Sequence, residues 1–443
     1  MRPDRNWISL LYKKSPFLLL LILAGIYAVK ILQLSYPLVI NNYPYISPDG
    51  FDWLTEGFWL TQTVLGKNVS DVTLPIARPP VFVFITFLDA LLGQNAYVIS
   101  LAFGASFLGT GYFAVKSIGS GLDPLLLLVF LFALLFSPVN FVRKWLLSDS
   151  VCVFISLVSV YYLFVFYRNS FNSLSQMIIL SFGIAVCGAT QTYGLVAPLI
   201  SIGVLSILAI KGRDFILLGR LFGIFFSSLL IFLLFSLLWY GFIPHVSTPV
   251  TFGLLDIYSF AMAKFYFHLW IYYFFPFMPL MIIALWVDRK LFFEDPFLIS
   301  LWLSVIAFFV LTFFYQWPES RFTFIYWHLF VIALFKTYLY VDNRKHQFYK
   351  AFFLGFASGL IIFQGLFLSV NEWQPSLHEI SVRPNASWFV NFLHASPIDR
   401  FHLQENCGAQ YEMCRNMFMS EDFDNYVKNT IKSYMEIRNL SLP

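Results

Sequence analysis

About eleven stretches of this chain, near 16–34, 96–115, 124–141, 149–167, 175–190, 194–210, 217–240, 265–287, 298–315, 322–340 and 351–371, are apolar for close to a bilayer's width. A hydrocarbon core about 30 Å thick is crossed by ~20 helical residues. Backbone groups inside hydrocarbon must be bonded within their own segment, so such runs fold as helices, and the chain lacks the alternating short strands of a membrane barrel. With 59% hydrophobic and only 12% charged residues, the chain carries more apolar surface than one water-soluble core can hide. The fold class expected is an all-α polytopic membrane protein of about eleven transmembrane helices. The net charge of +4 is too small to suggest a nucleic-acid partner.

The placement of the charges sets the expected orientation. Arg2, Arg5, Lys13 and Lys14 precede the first run, and no small-residue cleavage site follows it, which points to an uncleaved span with a cytoplasmic N-terminus. Alternating from there, the inner loops receive Lys116, Arg168, Lys211, Arg213, Arg220, Arg289, Lys290, Arg344, Lys345 and Lys350. The opposite face receives the stretch from Ser47 to Gly57, the turn from Arg143 to Asp149, Gln191 to Gly194, the 241–264 loop, Trp317 to Arg321 and the tail from Glu372. The expected location is the cell (inner) membrane, with an extracytoplasmic C-terminus.

Two segments are too short to cross. Residues 81–92 are an apolar run too short to span and include Asp89; a crossing there would put every later basic loop on the wrong side, so a re-entrant or surface-lying helix is expected. Residues 51–65 mix Phe51, Trp53, Leu54, Phe58 and Leu60 with Asp52, Thr55, Glu56 and Gln62, as an interfacial helix would; Ser47 suits its cap and Pro48 its first position. The expected organisation is therefore a membrane domain over 1–371, with these helices in a first extracytoplasmic loop over 35–95, and a small extracytoplasmic region over 372–443. Cys152 and Cys187 fall in apolar runs as core residues. Cys407 and Cys414 could pair if the tail is extracytoplasmic, or remain thiols. No zinc spacing is present.

The candidate site residues collect on the outer face. Asp49 and Asp52 stand beside Phe51, Trp53 and Trp59, a combination suited to a sugar: carboxylates bind or deprotonate hydroxyls, and flat rings pack against C–H faces. Asp49 is the first choice for a general base and Asp52 the second; both also suit a helix start. Arg78 precedes Pro79-Pro80 and can grip a phosphate with two parallel hydrogen bonds or snorkel to the interface. Asp149 follows Ser148 at the head of an apolar run, where capping explains both residues, but a second site carboxylate is equally open. Glu319 and Arg321 form either a local ion pair or, for Arg321, a phosphate ligand.

This pattern resembles the GT-C polytopic membrane glycosyltransferases, which include protein mannosyltransferases, aminoarabinose transferases and oligosaccharyltransferase catalytic subunits. The likeness covers the chain from the first span to about residue 340. It rests on Asp49 within Pro48-Asp49-Gly50-Phe51-Asp52-Trp53, on Arg78-Pro79-Pro80, on Asp149 after Ser137-Pro138, and on Glu319-Ser320-Arg321. The family's tandem acidic pair is here split by Gly50-Phe51, which leaves the base open between Asp49 and Asp52.

The resemblance implies transfer of a sugar from a polyprenyl-phosphate-linked donor to a lipid, glycan or protein acceptor on the extracytoplasmic side, with inversion. Asp49 or Asp52 would be catalytic, and Arg78, Asp149, Glu319 and Arg321 would bind substrate. No cofactor is required, although Asp49 and Asp149 are possible ligands for a divalent cation. Other readings remain: a lipid-linked sugar flippase or another secondary transporter, and a surface-polysaccharide polymerase or ligase. Transporters place ionisable residues at mid-span and show related halves, neither of which stands out here.

Overall fold

The computed structural model describes residues 48–66, 74–76, 78–93, 97–118, Leu127, Phe130, Leu131, Leu134, 148–242, 246–248, 295–312 and 325–342. In chain order these form α1 (Pro48–Val64), β1 (Leu74–Ile76), α2 (Pro80–Leu91), α3 (Tyr97–Ile118), α4 (Asp149–Arg168), α5 (Leu174–Thr190), a 3-10 turn (Thr192–Leu195), α6 (Val196–Lys211), α7 (Phe215–Phe242), β2 (Val246–Thr248), α8 (Pro296–Thr312) and α9 (Trp327–Asp342). The expected runs at 16–34, 265–287 and 351–371, the pair Cys407 and Cys414, and the 372–443 region lie outside the described residues. Of the 124–141 run, the four described positions are all helical and buried.

Helices α3 to α9 fall on the apolar runs, with ends displaced by a few residues. Stretches starting at Tyr97, Asp149, Thr192 and Phe215 are long and apolar enough to cross a membrane. Helix α2, at 12 residues, is about 18 Å long and falls short of the hydrocarbon thickness, as its sequence indicates. Pro80 starts it, where a missing N–H costs nothing. Its one acid, Asp89, is buried and accepts the Val98 amide of α3 at 3.0 Å, so it satisfies one of the donors that a helix start leaves over.

Many of the described hydroxyls inside the bundle are turned back onto their own helices. Ser106, Thr110, Ser117, Thr190, Ser201, Ser228, Ser304 and Thr337 each donate to the carbonyl four residues earlier, at 2.6–2.8 Å. Polar groups placed in apolar surroundings are thereby satisfied locally, with little demand on neighbouring helices. Ser201 also meets Ser300 at 2.5 Å, joining α6 to α8.

Helix α9 is the centre of the bundle: Ile325 to Phe335 are all buried, and α9 packs on α3 and α8. Helix α7 is the rim. It exposes Phe222, Phe226, Leu230, Leu237 and Leu238 along nearly its whole length. A continuous apolar exterior of that extent fits contact with lipid. Helices α5 and α7 run side by side in the same direction, since Ser181 reaches the Ile224 carbonyl and a Cβ on Gly188 would meet Phe232. The 190s turn and the end of α7 therefore emerge at one end of the bundle. Arg168, Lys211 and Arg213 lie at the opposite end, where Lys336 of α9 bonds Asp295 at 3.1 Å and Arg220 bonds Ser170 and Asn172.

The short strands β1 and β2 pair in parallel, Leu74 opposite Val246 and Ile76 opposite Thr248. The all-helical expectation missed them, because three-residue strands so far apart in sequence leave no local pattern. Helices α1 and α2 also run in parallel: Trp53 packs edge-on against Phe82 at 5.1 Å, and Thr61 reaches the Phe87 carbonyl at 3.4 Å. A Cβ on Gly57 would lie 2.8 Å from both the Phe87 nitrogen and the Thr86 carbonyl carbon. Backbone cannot yield there, so Gly57→Ala should lower stability by about 1–3 kcal/mol, seen as a lower unfolding temperature of the purified protein. Gly203→Ala, where nothing lies within 4 Å, should leave it unchanged or slightly raise it.

Candidate active site

Arg78 is fixed from two directions before its side chain is considered. Its amide donates to Glu56 Oε1 of α1 at 2.6 Å, and its carbonyl accepts from Trp239 Nε1 of α7 at 2.8 Å. The guanidinium carbon stands 5.8 Å from the centre of the Trp53 ring, within reach of a cation–π attraction. The β1–β2 pair holds the same junction, since β1 ends two residues before Arg78 and β2 follows α7. A cation set in this way, half-buried at the start of α2, has its backbone determined by three separate elements.

The acidic helix meets this cation. Helix α1 begins at Pro48, which puts Asp49 in its first turn and Asp52 one turn further. Positions 49, 52 and 56 follow the i, i+3, i+7 spacing of a single helix face. Glu56 is the member of that stripe bonded to Arg78, and it is only 1% exposed. The stripe of acids, which begins at Asp49, thus ends at the same junction as the arginine. The side chains of Asp49 and Asp52 lie outside the described residues, as do Glu319 and Arg321.

The expected aromatic platform takes a different form. Trp53 and Trp59 are buried, and Trp53 lies between Phe82 and Arg78. These rings support the site from within and do not offer an open face to a sugar. Thr55, Glu56, Thr61 and Gln62 are buried as well, so the polar positions of α1 are not a solvated face. Glu56 accepts the Arg78 amide, Thr61 donates to the carbonyls of Gly57 in its own helix and Phe87 of α2, and Thr86 of α2 donates to the Trp53 carbonyl at 2.8 Å.

Asp149 heads α4 and is 3% exposed. Ser148, the residue before it, makes no side-chain cap bond; it accepts from Gln191 Nε2 at 2.5 Å. The Tyr193 hydroxyl donates to Asp149 Oδ1, and the Tyr326 hydroxyl donates to the Tyr193 carbonyl at 2.5 Å. His328 is buried with its ring 6.2 Å from that of Tyr326. Simple capping therefore does not account for Ser148 and Asp149, whose side chains are tied to the 191–195 turn.

Arg78 and Asp149 come to the same end of the bundle. Arg78 is held by Trp239 near the end of α7, and Asp149 by the turn after α5, and those two helices run in the same direction. Among the described residues, no three His, Cys, Asp or Glu side chains are grouped to hold a metal ion. The sequence reading passed over Glu56, Trp239, Tyr193 and Tyr326. Of these, Glu56 had a visible signal, its heptad-like spacing from Asp49 and Asp52.

No protein-family model and no curated protein sequence matches the chain. Among solved structures, it is similar to the crystal structure of ArnT from Cupriavidus metallidurans in the apo state. The TM-score is 0.55 and the identity 13%, over 94% of this chain and 75% of that one. A second ArnT structure, bound to undecaprenyl phosphate, aligns with a TM-score of 0.48 and 13% identity over 93% of this chain and 76% of that one. The chain therefore has the GT-C-like fold that its sequence resemblance led us to expect.

The clamp on Arg78 has a direct readout. Glu56→Ala and Trp239→Phe each remove one hydrogen bond from its backbone, and a bond involving a charged acceptor contributes about 1.5–3 kcal/mol. Amide hydrogen exchange in peptides covering 76–82 should rise about tenfold or more in Glu56→Ala, and less in Trp239→Phe. Unchanged exchange in both would mean that the junction is held by other contacts.

Proposed function

We propose that this protein is a membrane glycosyltransferase that moves a sugar from a polyprenyl-phosphate-linked donor to an acceptor on the extracytoplasmic side, with inversion at the anomeric carbon. The observation that carries the reading is Arg78, a cation whose position is set by Glu56, Trp239 and Trp53 at the Glu56 end of the acidic stripe of α1. The ArnT-like fold supports it, as aminoarabinose transferases are among the enzymes that the sequence resembles.

In this reading the lipid tail stays in the membrane and its phosphate meets Arg78 and Arg321. Asp49 or Asp52 takes the proton of the acceptor's hydroxyl or amine. The freed lone pair attacks the anomeric carbon, and the bond from that carbon to the phosphate oxygen breaks with its electron pair. The departing lipid phosphate gains negative charge in that step, and a guanidinium already fixed in place stabilises it without reorganising. Asp149 and Glu319 act on the substrate as binding groups. No step passes through a metal ion.

The inner-membrane location, with the N-terminus in the cytoplasm, belongs to the same proposal. Its support is the collection of Arg168, Lys211, Arg213 and Arg220 at the bundle end away from Arg78.

The test is transfer of radiolabel from polyprenyl-phosphate sugars in membranes that contain the protein. Arg78→Ala should lower kcat/KM by about a hundredfold, the scale seen when a charge-stabilising donor is removed. Arg78→Lys should recover only part of it, since an ammonium cannot make the paired contact. Asp49→Asn or Asp52→Asn should abolish transfer while the protein still accumulates in membranes. Full activity in both single variants and in the double variant would reject the reading.

A further inference from the structure

Asp149, a binding group in the proposed transfer, is itself held by the protein. A carboxylate this deeply buried is costly unless it is bonded, and its visible partner is a phenol from a different part of the chain. Tyr193 lies in the 3-10 turn between α5 and α6. That turn is fastened at each position that matters. Gln191 is bonded to Ser148 next to the carboxylate, and the Tyr193 carbonyl accepts the Tyr326 hydroxyl from the residue before α9.

Gly194 packs so closely that an added Cβ would lie 2.7 Å from both Cys152 Sγ of α4 and the Cys187 carbonyl oxygen of α5. The Tyr326 ring is itself seated on Phe308 at 4.3 Å, which also meets the Tyr193 ring at 6.1 Å. Four elements thus determine where one hydroxyl points.

We propose that Tyr193 and Tyr326 are positioning residues for Asp149: the Tyr193 phenol holds the carboxylate, and Tyr326 holds Tyr193. The relay sets Asp149 at the head of α4 in one orientation and couples it to the start of the central helix α9. It rests on the transferase reading only for what Asp149 binds, and its geometry can be tested without any substrate.

The probe is dicyclohexylcarbodiimide, an apolar reagent that modifies carboxyl groups, with its adduct on the Asp149 peptide followed by mass spectrometry in the purified full-length protein. Asp149→Asn gives the blank. Tyr193→Phe keeps the ring and removes the donor, and should speed labelling about tenfold, the scale of one hydrogen bond to a charged group. Tyr326→Phe keeps the contact with Phe308, and Gly194→Ala keeps the phenol but displaces the turn; both should give smaller increases. Tyr162→Phe, on the exposed side of α4, should change nothing.

The unfolding temperature is measured in parallel, so that an increase shared by every carboxyl peptide of a loosened protein is told apart from one confined to Asp149. An unchanged Asp149 rate in Tyr193→Phe overturns the proposal, as does an increase spread over all peptides. In the transfer assay, Tyr193→Phe should lower kcat/KM as Asp149→Asn does. A confined increase in labelling, together with a wild-type protein that transfers no sugar, would leave the relay standing and remove the transferase reading.

Discussion

Polar groups inside an apolar helical bundle must find partners within the protein, and this one constraint organises the structure. Among the described residues, most buried serine and threonine hydroxyls meet it within their own helix, by bonding to the carbonyl one turn back. Carboxylates and cations cannot, and they need partners from other elements. At one end Lys336 pairs with Asp295, which also caps α8 through the Phe297 amide at 2.9 Å. At the other, Glu56 holds the Arg78 backbone and Tyr193 holds Asp149. The first arrangement joins two neighbouring helices. The other end carries two networks, one joining α1, the segment before α2 and α7, the other joining α4, the 191–195 turn and the residue before α9, and that density of long-range polar bonding marks it as the candidate site.

Preorganisation is the feature that this end of the bundle can offer chemistry. A transition state gains most from charges that are already oriented when its own charge develops. Arg78 meets that description through its backbone, since amide and carbonyl are both held by side chains of other helices. Trp53 contributes from beneath the guanidinium, packed on Phe82. The aromatic residues of α1 thus act as supports for a cation, a role that their sequence context, rich in acids, did not reveal.

Much of the fold was legible in the sequence, because a bilayer imposes a length and a composition on each span. The apolar runs near 149–167, 175–190 and 217–240 match Asp149–Arg168, Leu174–Thr190 and Phe215–Phe242. Pro48 and Pro80 marked helix starts through their fixed dihedral and missing donor. Contacts set by tertiary packing were not legible. The pairing of Leu74 with Val246 joins segments far apart in the chain and carries no periodic signal. Glu56 reads as one more acid in a polar stretch until the Arg78 amide is found beside it. Ser148 reads as a cap until Gln191 is seen to claim its hydroxyl.

The central claim is that Arg78 and Asp149 serve one site because they lie at one end of the bundle, away from the basic turns. The most direct test is labelling with a membrane-impermeant maleimide of single cysteines at four exposed positions, Thr192, Gly241, Asn172 and Arg213, in a cysteine-free background. The account predicts that positions 192 and 241 react from one side of the membrane, and positions 172 and 213 only from the other. Reaction of 192 and 241 from opposite sides would separate the two clusters and contradict it.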